Sequence, residues 1–95
     1  MADKAQFIEE LLKYESFVKA AMKRKEYREA VFYATRLIEQ CRDSVKHMKM
    51  LIKASILNDP NDLSGIIKQT YNVQEQFMGN PVFLFWRGRL LIYNG

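Results

Sequence analysis

Cys41 and His47 are the single cysteine and the single histidine of this chain, and they alone offer the residue types of a nucleophile and its base. A thiol attacks as thiolate, so it needs a base or a positive field beside it. Cys41 falls at the end of an apolar stripe, where a free cysteine behaves as a small buried hydrophobe. His47 falls in the first turn of a helical segment, where a surface or capping role is expected. Glu9 and Glu10 are adjacent, so a helix points them to different faces and they cannot share a proton. "GNP" and the isolated Gly65 and Gly88 lack the spacing of a phosphate-binding loop. One histidine and one cysteine supply no cysteine- or histidine-based metal set. The expectation is a non-enzymatic chain: no catalytic residue, no metal and no cofactor.

Charge is the second chemical signal. From Lys19 to Lys53 the chain carries ten basic residues against four acids, within a net charge of +4. Such a bias can attract nucleic acid or an acidic protein segment. The stretch "KAAMKRKEYR" is basic and includes Tyr27, yet no nucleic-acid motif accompanies it. Basic and acidic residues interleave at helical spacing, as on a solvated helix face. Nucleic-acid binding is therefore the alternative reading and not the first.

Helical periodicity covers nearly the whole chain. Phe7, Leu11, Tyr14, Phe17, Val18 and Ala21 form one stripe, running to about Met22. "KRKE" is a polar turn. Tyr27, Ala30, Val31, Ala34, Leu37, Ile38 and Cys41 form a second stripe. Asp43 or Ser44 can cap a third helix over Val45 to Leu57, which buries Met48, Leu51, Ala54 and Leu57. Pro60 must break it. Asn61 or Asp62 caps a fourth helix carried by Leu63, Ile66, Ile67, Thr70, Val73 and Phe77. Gly79 suits a left-handed helix end, Asn80 an N-cap and Pro81 a first turn. No window alternates as a strand would, so the fold class is all-α: five helices in antiparallel hairpins. The terminal run "NPVFLFWRGRLLIYNG" is interrupted by Arg87 and Arg89. It is too short and too charged for a membrane span of about 20 apolar residues. No signal peptide is visible at the N-terminus, and with a single cysteine the expected setting is cytoplasmic.

Ala20, Ala54 and Gly88 lie 34 residues apart, each where a small residue would let two helices approach. "YREAVFYATRLIE" resembles the second helix of a tetratricopeptide repeat, whose length is about 34 residues. Pro81 after "GN" is similar to the proline that ends such a repeat. "KRKEYREAVFYATRLIEQC", "KMLIKASIL" and the terminal run resemble consecutive repeats of tetratricopeptide co-chaperones with a C-terminal J-domain. The likeness spans roughly residues 11–95. It implies one domain over residues 1–95, a short right-handed solenoid of repeats 5–42, 44–78 and a partial 81–95.

What the resemblance implies for function is a scaffold that holds a polypeptide partner, such as a heat-shock chaperone or its client, in a groove of first helices. That groove would be lined by Glu15, Lys19 and Met22, then Leu51, Ser55 and Asn58, then Phe85, Arg89 and Ile92. A structural subunit of a larger helical assembly is a further alternative. Helix five, apolar nearly all round, would want neighbours on several sides. The chain is expected to continue past the turn Asn94-Gly95 and to self-associate through Phe83, Trp86, Leu90 and Tyr93. The family's carboxylate clamp is missing: Glu15 stands where a lysine would, Ile52 where an asparagine would and Trp86 where an arginine would. Peptides bearing the acidic C-terminal tail of heat-shock chaperones should therefore bind weakly or not at all. Calorimetric titration giving low-micromolar affinity, lost when the terminal carboxylate is amidated, would contradict this.

Overall fold

A computed structural model describes residues 2–94, with side chains from Lys4 to Tyr93. Five helices follow one another: α1 (Ala2–Lys23), α2 (Tyr27–Gln40), α3 (Val45–Asn58), α4 (Ser64–Phe77) and α5 (Pro81–Asn94). No strand occurs among the described residues, so the chain is all-α.

Each boundary has a local cause. At the end of α1, Glu26 N–H donates to Ala21 O at 2.8 Å and Lys25 N–H to Met22 O at 3.1 Å. These are the paired bonds of a Schellman ending, which puts Lys25 at φ 61, a left-handed position usually given to glycine. Ser44 caps α3, its hydroxyl oxygen accepting from His47 N–H at 3.2 Å. Asn80 caps α5 ahead of Pro81, its side-chain oxygen accepting from Val82 N–H at 2.9 Å and Phe83 N–H at 3.2 Å.

Two expected boundaries differ. Neither Asn61 nor Asp62 caps α4. Its N-cap position is Leu63, buried at 2% exposure, while Asp62 Oδ1 accepts from the Ser64 hydroxyl at 3.2 Å. Burying Leu63 fixes the helix entry without a side-chain cap. Gly79 has no left-handed backbone, and α4 closes instead through Asn80 N–H donating to Phe77 O at 2.9 Å.

The packing order runs α1 on α2, α2 on α3, and α3 on α5. α4 leans on α5 more than on α3, so the expected α3–α4 hairpin is a loose one. Side chains explain the preference. Phe77 and Phe83 place their ring centroids 5.3 Å apart, and the Arg87 guanidinium lies 4.5 Å above the Tyr71 ring. Both contacts join α4 to α5. In α3, His47, Met48, Leu51, Ile52, Ala54 and Ile56 are all buried. At 100° per residue they cover an arc of roughly 200°. The first hairpin is sealed by Tyr14, Phe17 and Tyr33, whose rings lie 5.0–6.1 Å apart.

Helix lengths decide what the first stripe can bury. α1 has 22 residues and α2 has 14, a difference of about 12 Å at 1.5 Å per residue. The beginning of α1 overhangs, and Phe7 and Ile8 are exposed there although Phe7 belongs to the apolar stripe; Leu12 is exposed because it lies off that stripe. Leu57, expected inside, is also exposed.

The small-residue sites divide. Ala54 is fully buried, but a Cβ built at Gly88 would meet nothing within 4 Å. In α1 it is Ala21, not the half-buried Ala20, that is fully buried. Close helix approach therefore accounts for Ala54 and not for the whole 34-residue series. Ala54→Phe should lower stability by about 1–3 kcal/mol through overpacking. Gly88→Ala should raise it by up to about 1 kcal/mol through helix propensity. Urea denaturation of both variants checks the pair, and destabilisation by Gly88→Ala would restore the close-approach reading.

Candidate functional site

The two residues with nucleophile chemistry are directed elsewhere. The Cys41 thiol, only half-buried, donates to Asp43 Oδ1 at 3.4 Å. Burial first, and then that carboxylate, push its pKa up, so the protonated thiol is favoured. His47 is not on the surface: it is buried at 4% exposure. Its Nε2 lies 2.7 Å from Glu15 Oε1. An ionised carboxylate only accepts, so Nε2–H is the donor. Nδ1 is buried and meets no partner among the described residues. No cluster of three or more His, Cys, Asp or Glu suited to a metal ion occurs among them.

Glu15, expected in a binding groove, is thus a tie between α1 and α3. Lys46 Nζ adds a second contact at 3.0 Å, and the Glu15 side chain keeps 12% exposure. Burial alone would raise its pKa. Hydrogen bonds from His47 and Lys46, with their charge, outweigh burial and lower it.

Beside this tie, α1, α3 and α5 enclose two depressions. One, of about 240 Å³, is lined by Val18, Lys19, Met22, Lys49, Met50 and Lys53. The other, of about 150 Å³, is lined by Lys53, Ile56, Leu57, Trp86, Arg89 and Tyr93. Lys53 lines both, so the two depressions adjoin on either side of it and together make a two-part groove across three helices. Every charged residue lining it is basic. Lys19, Lys49, Lys53 and Arg89 are exposed and form no ion pair among the described residues. The Arg89 guanidinium sits 5.7 Å from the ring centroids of both Phe85 and Trp86, which steadies its planar head over the aromatic rim.

Of the residues expected in the groove, Lys19, Met22 and Arg89 line it. Phe85 adjoins it through Arg89 and is exposed, as is Ile92 at 78%. The α3 residues are on the wrong faces. Leu51 is buried in the core. Ser55 and Asn58 line a separate depression with Val31, Asp59, Asp62, Ser64, Gly65 and Ile66. The residues missed, Lys49, Met50, Lys53 and Leu57, repeat at steps of one, three and four. They share one face of α3 with Lys46, and the lysines spaced three and four apart on that face were the available signal.

The set expected to self-associate is corrected too. Phe83 and Leu90 are buried at 2% and 0% exposure, and only Trp86 and Tyr93 remain partly or largely open. α5 is covered on one side rather than several. Its open apolar face is Leu84, Phe85, Leu91 and Ile92 instead. Gly95, half of the turn expected to follow, lies outside the described residues. No helix among those described is long and apolar enough to cross a membrane.

A third cleft, of about 300 Å³, lies between α2, α3 and α4. Glu39 and Arg42 line it together, so it has no charge preference comparable to the basic groove. Compared with known proteins, the chain matches no family model, no curated protein and no solved structure.

Glu15→Ala should cost about 1–3 kcal/mol at pH 7, because it leaves the buried His47 without its carboxylate. A lowered carboxyl pKa contributes stability that is fully present above its ordinary value of 4.5 and lost as pH falls through the lowered one. The gap between wild type and variant should therefore narrow in acid. Urea unfolding at neutral and acid pH measures it, and equal stabilities at pH 7 would mean that the tie contributes nothing.

Proposed function

We propose that this chain is a protein-interaction module that holds a polypeptide across the α1/α3/α5 groove. The observation that carries the reading is the composition of that groove by element. Its walls come from α1, α3 and α5, the alternate helices of the chain, which in a repeat array would each open a hairpin. In stacked helical hairpins that is the surface which binds extended partners. The packing of α2 on α3 and of α3 on α5 is consistent with such stacking. A right-handed tetratricopeptide-like solenoid, working in the cytoplasm as part of a J-domain co-chaperone, is the specific form of this proposal. Met22 and Met50 suit the role, since their flexible thioethers adapt to differing apolar side chains.

Selection of random dodecapeptides displayed on phage, followed by amide NMR mapping of the binders, tests the reading. Shifts should cluster at Lys19, Met22, Lys49, Met50, Lys53, Trp86 and Arg89. Binders that map to α2 or α4, or binding of a random duplex in preference to every peptide with the steep salt dependence of phosphate contacts, would overturn it.

A further inference from the structure

The groove joins two properties that select a partner. Its rim carries four exposed cations, Lys19, Lys49, Lys53 and Arg89, and no acid. The nearest carboxylate of α1, Glu15, one turn before Lys19, is taken up by His47 and Lys46 and leaves this charge uncompensated. Its floor is apolar, with Met22 and Met50 in one depression and Trp86 in the other. Exposed cations at a rim set the sign of the partner and its rate of capture, whereas burial against an apolar floor supplies most of the affinity.

On the basis of the function proposed above, we propose that the groove's occupant is an acidic amphipathic segment of another polypeptide. Two apolar side chains enter the depressions, and carboxylates between and beside them meet the four cations. Packed helices lie about 8–10 Å apart, so the anchors are spaced by roughly that distance. A helical segment reaches it with anchors seven residues apart, at 1.5 Å per residue. Because the cations stand along the groove rather than clustering at one end, recognition runs through side-chain carboxylates and does not need a chain terminus.

The charge argument decides against two simpler occupants. A purely acidic chain would leave the floor of Met22, Met50 and Trp86 in water. A nucleic-acid strand could meet the same cations and stack on Trp86 and Tyr93, but the methionine-lined depression beside α1 has no aromatic ring on which a base could stack.

The test uses the full chain and four acetylated, amidated, fluorescein-labelled probes in anisotropy titrations. They are a Glu-rich helix with Leu on one face, the same peptide with Leu replaced by Ser, the same with Glu replaced by Lys, and polyglutamate. The Glu/Leu probe should bind at least tenfold tighter than the other three and weaken with salt. Lys53→Glu and the double variant Lys19→Glu/Arg89→Glu should each weaken it at least tenfold. All three positions are exposed, and an unchanged circular dichroism spectrum confirms that these variants fold. Equal binding of the Lys-bearing probe, or of polyglutamate, overturns the inference, and so does tighter binding of a single-stranded oligonucleotide at the same residues. If neutral library peptides map to the groove while the Glu/Leu probe does not, the inference fails and the proposed function stands. If no peptide of any composition maps there, both fail.

Discussion

Everything in this fold is arranged around α3. One helix with six buried residues over more than half its circumference cannot sit at the edge of a layer. It draws α2 to one flank and α5 to another, and only the arc of Lys46, Lys49, Met50, Lys53 and Leu57 is left toward solvent. From Lys49 to Leu57 that residual arc lines the groove. The groove is thus a by-product of core formation: where α3 is not needed for packing, it is basic, and α1 and α5 flank it because they cover its neighbours.

The tie between Glu15 and His47 gives this arrangement its angle. Apolar burial is non-directional and would tolerate some sliding of α1 along α3. A buried imidazole that must reach a carboxylate at 2.7 Å does not tolerate it. The cost is accepted in the same place, since Nδ1 of that ring is buried without a partner. Of the residue types that could do chemistry, the histidine and the glutamate here join α1 to α3.

How much of this could be read from the sequence depends on whether the deciding contact was local. The five helices, the caps Ser44 and Asn80, the break at Pro60 and the start of α5 at Pro81 follow from short-range rules, and they stand. Lys19, Met22 and Arg89, which the sequence puts on the outward sides of α1 and α5, do line the two depressions. Leu51, Ser55 and Asn58 were misplaced, because α3 is buried so broadly that its periodicity does not identify which side is open. His47 was hidden for a similar reason. Its partner lies 32 residues away, and no window of sequence joins the two. Phe83 and Leu90 could not be separated from Leu84 and Leu91 on a helix that is apolar all round. The choice was made by the packing of α5 on α3 and α4, the latter through Phe77 against Phe83.

The overhang of α1 sets a gradient of local opening along that helix. From Val18 to Lys23 its backbone amides lie over packed side chains and in the closed Schellman turn, so they exchange with solvent hydrogen only when the α1–α2 pair separates. Around Phe7 and Ile8 no facing helix resists unwinding, and opening there needs little more than the loss of a few intrahelical bonds. The two ends of one continuous helix therefore report different events. Deuterium uptake near Phe7 measures fraying, while uptake near Ala21 measures the coherence of the first hairpin. A ligand seated against Val18, Lys19 and Met22 would slow the second and leave the first nearly unchanged.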